Sequence, residues 1–338
     1  LRLRESPYGK LNMVHLRDRL LEDHGIDHSR EYYRKLLIRK KLYRSDQKKR
    51  RTKHRKRFEA PESGLLIQRD TSIHLWVRES EKPWKLILDL DDHSRKITGA
   101  FFSYHDDVLS NMLVAWETLT THGLPHAYYT DNNPIFNPLN KKANIPGQYR
   151  LYRVRTGRDQ EAVSQFKRAL LEVGIQMIHA TPYQPQGKGK VERIFRFMQD
   201  RLVKEMEIHK IRDIHSGNKY LKKWVNWYNH KHVHSVTKMI PNERYLKGNG
   251  FREIPKGIDL EQIFCLKYSR QVKADNTFQL EGQTYQIRPN AYRIGYAKAM
   301  VEIRIYLSRW MKVFYKGKEI DQFKYLLKSP KEDILLLQ

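Results

Sequence analysis

Gly64-Leu-Leu-Ile-Gln-Arg-Asp-Thr-Ser-Ile-His-Leu-Trp76 is an apolar run of strand character with one carboxylate, Asp70, set inside it. Two more strand-like runs follow, Lys85–Leu90 and Ile97–Tyr104. Val108, Met112, Ala115, Trp116 and Leu119 then recur at helical spacing, Gly123 ends that pattern, and His126–Tyr129 reads as a fourth strand. Val163, Phe166, Leu170 and Val173 predict a second helix stopped by Gly174, Ile175–His179 extends again, and Gln186–Lys210 turns helical. The order is βββαβαβα, which predicts an α/β layer structure with helices packed on a mixed sheet.

Two further carboxylates stand at comparable places. Asp131 closes Ala127-Tyr-Tyr-Thr-Asp131-Asn-Asn, and Glu192 lies in Gln184-Pro-Gln-Gly-Lys-Gly-Lys-Val-Glu192-Arg, in the first turn of a helix announced by Pro185 and Gly187. An isolated Asp at a strand end ordinarily caps a turn. Taken jointly the three settings point to a two-metal phosphoryl-transfer site, because three converging carboxylates leave little except metal to neutralise them. Asp70 and Asp131 are expected on neighbouring strands, with Glu192 swinging in from the last helix.

Leu88-Asp-Leu-Asp-Asp-His-Ser-Arg-Lys-Ile-Thr-Gly99, Thr130-Asp-Asn132 and Gln186-Gly-Lys-Gly-Lys-Val-Glu-Arg193 together resemble the catalytic core of DDE transposases and retroviral-type integrases, and most nearly the bacterial insertion-sequence transposases. The resemblance runs over about residues 8–320. It implies an RNase H-like core and places the family's metal-binding acids on Asp70, Asp131 and Glu192. It also implies a DNA transposase that binds element ends, cleaves phosphodiester bonds and joins the 3′-hydroxyl to target DNA. Two divalent ions about 3.5–4 Å apart serve such chemistry, and hard carboxylate oxygens suit Mg²⁺, with Mn²⁺ as a substitute, and not zinc. Asp70 would bridge both ions, Asp131 hold one and Glu192 the other. Asp91 and Asp92 read as turn residues after the second strand. Lys188 and Lys190 are placed to hold phosphate, or else form a plain basic helix face. Two other readings stay open: a catalytically silent transposase-derived regulator, expected to have lost a carboxylate, and an RNase H-fold nuclease, which would not need DNA-binding domains at both ends.

The composition agrees with a polyanionic partner. Lys and Arg total 65 against 38 Asp and Glu, a formal charge of +27, and self-repulsion of that size disfavours compaction unless nucleic acid neutralises it. At 338 residues the chain is long enough for two or three domains. No apolar run is long enough to span a bilayer, and the single cysteine, Cys265, sits in an apolar string and has no zinc-ligand spacing around it. A cytoplasmic, nucleoid-associated bacterial protein is expected, with no membrane contact.

Five segments follow. Residues 1–43 read as a helix-turn-helix DNA-binding domain: Val14, Leu16, Leu20 and Leu21 stripe a first helix, Gly25 breaks it, and Ser29 caps a second whose Tyr33, Leu36 and Leu37 face inward. Arg30, Arg34, Lys35 and Arg39 would then lie along a DNA groove; two packed scaffold helices are the alternative, weakened by the resemblance of Tyr8–Leu37 to the family's helix-turn-helix. The chain opens at Leu1 and not Met, which leaves room for a preceding segment. Residues 44–60 are a basic linker in which Lys48, Lys49, Arg50, Arg51, Lys53 and Arg55 would follow phosphates without reading bases. Residues 61–215 form the catalytic core, with an insertion at about 137–155 that is either inert surface or a basic flap onto DNA. Residues 216–260 make a helical extension and linker, where Tyr220–Ser235 resembles the family's helix after the Glu and its histidines are expected on backbone or phosphate. In residues 261–338, Gln271–Ala274, Thr277–Leu280, Thr284–Ile287, Met300–Tyr306 and Met311–Tyr315 read as strands of a small β-barrel. Two element ends joined to one target require a homodimer or higher multimer in a synaptic complex; an ATPase helper is left open.

Overall fold

The structure is a computed structural model and describes residues 11–42, 58–78, 80, 82–136, 152–156, 159–180, 188–248, 250–291 and 293–325. The linker lysines and arginines Lys48, Lys49, Arg50, Arg51, Lys53 and Arg55, and most of the 137–155 insertion, lie outside the described residues.

The opening stretch forms β1 (Leu66–His74), the centre of a five-stranded sheet. It pairs antiparallel with β2 (Trp84–Asp91), which in turn pairs antiparallel with β3 (Ile97–Ser103). On its other edge β1 runs parallel to β4 (Ala127–Thr130), and β4 runs parallel to β7 (Gln176–His179), giving the order β3-β2-β1-β4-β7. This mixed sheet fits the RNase H-like core expected. β5 (Tyr152–Thr156) and β6 (Asp159–Val163) form a separate hairpin that starts at the end of the expected insertion and runs past it.

Helices cover both faces. α3 (Val108–His122) starts where Asp107 accepts the Ser110 N–H and ends at Gly123. It lies so close to β3 that a Cβ on Gly99 would stand 2.7 Å from the Val114 carbonyl oxygen, so only glycine fits there. α4 (Gln165–Glu172) is shorter than the apolar spacing suggested: Ser164 caps it by accepting the Lys167 N–H, which leaves Val163 in β6. On the opposite face α5 (Val191–Ile208) and α6 (Ile214–His230) enclose a core with Trp84, Leu86, Leu88, Phe102, Met198, Leu202, Leu221 and Trp224. α6 also closes the open edge of the sheet. The Asn229 amide accepts from Ile97 N at 2.9 Å and donates to Ile97 O at 2.8 Å, and Asn218 does the same to Phe102 at 2.8 and 3.0 Å. Side-chain amides thus complete the hydrogen bonds that an unpaired strand leaves exposed.

The first two helices are α1 (Met13–His24) and α2 (Arg30–Arg39). Gly25 ends α1 at φ 65, and the Ser29 hydroxyl accepts the Tyr32 N–H to begin α2. Leu16, Leu20, Tyr33 and Leu37 are buried between them with Leu11 and Met13, whereas Val14 and Leu21 are exposed and do not belong to the apolar stripe. The reason is that α1 gives its remaining inner face to polar contacts with α5: Arg201 donates to Asp18 at 2.7 Å, and buried His15 bonds Glu205.

After two short helices, α7 (Pro241–Tyr245) and α8 (Leu260–Ile263), the chain becomes antiparallel β. β8 (Leu266–Gln271) occupies residues ahead of the strand expected at 271–274, and β9 (Thr277–Leu280) pairs with β10 (Gln283–Gln286). β11 (Met300–Ile305), β12 (Trp310–Tyr315) and β13 (Lys318–Lys324) complete a four-stranded sheet in the order β13-β12-β11-β8. Among the described residues the pairings make this sheet and one hairpin, with no pair of strands joining the two into a ring. Arg168 of α4 holds the segment against the core by donating to Cys265 O at 2.5 Å and Ile263 O at 3.1 Å. Cys265 is buried as expected, which pushes its thiol up to about 11.

The deepest polar feature lies inside the central sheet. Arg69 and Asp89 are both fully buried, and the guanidinium meets the carboxylate through two bonds of 2.5 and 2.7 Å. Thr118 and Tyr128 each donate to Asp89 at 2.9 Å, and Arg69 donates to Asn111 O at 2.7 Å. Removing one partner of such a pair leaves an uncompensated charge. Arg69→Met should therefore cost about 3–5 kcal/mol in urea unfolding. Adding Asp89→Leu should recover part of that loss; a single-mutant loss no larger than that of an ordinary surface substitution would contradict the arrangement.

Candidate active site

The geometry of the sheet decides which acids meet. In β1 the even-numbered residues face α5: Gln68 accepts from Val191 N at 3.3 Å, and Ser72 accepts from the Gln199 amide at 3.0 Å. Asp70 lies between them on that face. β4 runs parallel beside β1 with Gln68 opposite Tyr129, so two residues on, Asp131 comes level with Asp70. Asp131 accepts the Asn133 N–H at 3.0 Å, and the Asn132 amide pins the turn to Ala180 O at 2.8 Å. From β7, His179 Nδ1 lies 3.2 Å from the Thr130 hydroxyl and 3.4 Å from the Asp131 carbonyl.

The Lys188 ammonium stands between the two acids, 2.9 Å from Asp70 Oδ1 and 3.5 Å from Asp131 Oδ2. Burial pushes the Asp70 carboxyl upward, Lys188 opposes that shift, and the Asp131 charge adds to it. The expectation that little except metal can neutralise the acids is thus corrected: the chain supplies a cation of its own. Glu192 is in the first turn of α5 as expected, but its side chain is exposed. Among the described residues no three His, Cys, Asp or Glu side chains converge into a set able to hold a metal ion. The structure therefore brings Asp70 and Asp131 together and leaves Glu192 outside. Glu192 N donates to Lys188 O at 3.0 Å, which puts residues 188 and 192 one helical turn apart on the same side.

Lys190 is committed inward, its ammonium 2.5 Å from Asp92 Oδ2. That contact withdraws it from the phosphate-binding position expected of it. Asp92 is a turn residue, as the sequence indicates, whereas Asp91 is the last residue of β2 and braces that turn from the strand end: Asp91 accepts from Gly64 N at 2.9 Å and Ser94 N at 2.7 Å, and Asp92 from Ala60 N and the Gln68 amide, both at 2.7 Å. On α2, Arg30, Lys35 and Arg39 are exposed, while Arg34 is held by Glu31 through bonds of 2.9 and 2.8 Å.

Asp106, ahead of α3, was not singled out by its sequence. It accepts from the Asn111 amide at 2.8 Å and the Thr71 hydroxyl at 3.3 Å, next to Asp70 in the chain. Burial above all raises its carboxyl, and the Asp131 charge adds to the effect. The available signal was the Asp106-Asp107 doublet, since a helix start needs one capping acid and Asp107 already fills that role.

The chemistry of this donor set suits a hard divalent cation. Two level carboxylates offer oxygen ligands, and the ammonium between them marks the place that a cation occupies.

Residues 173–241 match the integrase core domain family, a stretch that contains β7, α5 and Glu192. The chain is 28% identical to the putative transposase y4bF of Sinorhizobium fredii over 89% of its own length and 60% of that protein. It is 25% identical to the transposase of insertion sequence IS1202 from Streptococcus pneumoniae, over 94% of this chain and 71% of that one. The simian T-cell lymphotropic virus intasome superposes over 88% of each chain with a TM-score of 0.43 and 14% identity. This chain is thus a relative of bacterial insertion-sequence transposases with an integrase core domain, and it spans 60% of the length of the first of those relatives. Among the described residues no helix is long and apolar enough to cross a membrane.

The histidines at the end of α6 and just after it contact rings and backbone, His230 from an exposed position and His232 and His234 half-buried. His230 bonds Asn226 O at 3.0 Å, and His232 stacks on Phe197 and Tyr228 with centroids 4.7 and 5.3 Å apart. Burial lowers His232 and His234 to about 4, which favours the neutral ring near pH 7. The unfolded chain takes up these protons below the ordinary value near 6.5 while the folded chain refuses them until about 4, so each costs stability as pH falls through that window. An NMR titration should place both midpoints near 4, and a midpoint near 6.5 for His232 would contradict its enclosure.

Proposed function

We propose that this chain is a DNA transposase that binds element ends, cleaves phosphodiester bonds there and joins the freed 3′-hydroxyl to target DNA. The single observation that carries the reading is the level placement of Asp70 in β1 and Asp131 just past the end of the adjacent parallel β4, around one shared cation. Asp70, Asp131 and Glu192 would hold two Mg²⁺ ions, or Mn²⁺ in their place. Such ions supply an activated nucleophile and stabilise the leaving oxygen.

The chain's own residues do the positioning. The buried Arg69–Asp89 pair fixes β1 beneath Asp70, and Asn133 N and Asn132 hold the turn that presents Asp131. Gln68 and Lys190 anchor the start of α5, which keeps Glu192 within one helical turn of the acids' shared cation. The exposed Glu192 carboxylate would turn inward to complete the site.

DNA would be gripped at both ends of the chain. Residues 1–43 act as a helix-turn-helix with Arg30, Lys35 and Arg39 toward the groove, and Arg34 set by Glu31. Residues 44–60 follow the backbone through Lys48, Lys49, Arg50, Arg51, Lys53 and Arg55. Residues 61–215 are the catalytic core and 216–260 a helical extension, while 261–338, whose described strands pair as an open four-stranded sheet and a hairpin, would add DNA contact. The net charge of +27 favours assembly of two or more protomers on DNA rather than alone.

Asp70→Asn, Asp131→Asn and Glu192→Gln should each abolish strand joining in Mg²⁺, by more than the roughly 10–100-fold that loss of an outer-sphere partner costs a metal site. Binding to an element-end duplex should stay nearly intact, because the acids hold ions and not DNA. Wild-type joining by any one variant would remove that residue from the site.

A further inference from the structure

We propose that Lys188 is a built-in counter-ion that keeps Asp70 and Asp131 in register and must be displaced for a divalent ion to enter. The inference rests on the proposed metal site and adds its regulation. Two carboxylates held side by side repel, and Asp70 is mostly removed from water, with a side chain only 17% exposed. One ammonium contacts both and offsets that repulsion. A divalent ion offers twice the charge to the same oxygens, so the two cations compete for one place.

The structure makes the exchange a side-chain movement. From Lys190 onward α5 is tied down, through the Lys190–Asp92 ion pair and the Val191 N–Gln68 bond. Lys188 precedes those anchors and reaches the acids on a four-carbon stem, so it can withdraw without shifting the helix. Glu192, which stays exposed while the ammonium is in place, lies one turn further on the same side. Departure of Lys188 therefore vacates the position between Asp70 and Asp131 for a divalent ion, which Glu192 would help to hold, and frees an ammonium that a DNA phosphate would take. Lys188 is accordingly a positioning residue in the metal-free protein and a phosphate ligand in the loaded one.

The experiment measures Mn²⁺ binding to the full chain without DNA, by electron paramagnetic resonance of free Mn²⁺, for wild type, Lys188→Met, Lys188→Arg and Asp70→Asn. Removing the competing charge should tighten Mn²⁺ binding about tenfold in Lys188→Met, whereas Lys188→Arg should stay near wild type and Asp70→Asn should lose the site. Thermal melting gives a second readout: Lys188→Met should melt lower than wild type without metal and gain more from added Mn²⁺. Unchanged or weaker Mn²⁺ binding in Lys188→Met, with Asp70→Asn still losing it, overturns the counter-ion role and leaves the metal site standing. No binding to any variant overturns both.

Discussion

The buried Arg69–Asp89 ion pair is the constraint on which the rest of the arrangement depends. It joins β1 to β2 directly, Thr118 ties it to α3, and Tyr128 ties it to β4. Arg69 is the residue before Asp70, and Tyr128 comes three residues before Asp131. A slip of β1 by one residue would put Asp70 in the enclosed slot and Arg69 on the α5 face, because alternate strand residues point to opposite sides. Burying two charges brings little net stability when both are satisfied. Here the pair sets which side chain of β1 faces the site and at what height its neighbour on β4 arrives.

Around that fixed centre the site is an acidic patch in a strongly basic chain, and local cations are apportioned among specific acids. Lys190 is spent on Asp92, where it secures the turn after β2 to the start of α5. Lys188, two residues earlier, faces Asp70 and Asp131. The alternation Lys-Gly-Lys thus separates a structural ammonium from one that answers to whatever enters the site. Asp106 lies on the other side of β1, held by Thr71 and Asn111, and burial above all, with the Asp131 charge adding to it, raises its carboxyl.

Much of this was legible in the chain itself. The three consecutive strands, α3 with its Gly123 stop, the turn at Asp92, and the Ser29 and Gly25 punctuation of the first two helices all follow from local pattern. Long-range pairing was not legible. Nothing near Arg69 shows that Asp89, twenty residues on, will bury with it, and a charged residue in a strand ordinarily points to solvent. Val163 continued an apolar helical period, yet Ser164 capped the helix after it and left Val163 to a hairpin. Val14 and Leu21 looked like core, because the sequence does not reveal that α1 turns a polar side toward Arg201 and Glu205. Lys190 looked like a phosphate ligand because its partner, Asp92, is separated from it by most of the core.

The central claim is that Asp70, Asp131 and Glu192 form one divalent-ion site once Lys188 gives way. Anomalous scattering from crystals grown with an element-end duplex and Mn²⁺ tests it most directly. The account predicts Mn²⁺ peaks in contact with Asp70 and Asp131, Glu192 turned inward as a ligand, and the Lys188 ammonium moved from between the acids toward a DNA phosphate. Crystals in which DNA and Mn²⁺ are bound but Lys188 still bridges the two aspartates, with the metal elsewhere, would contradict it.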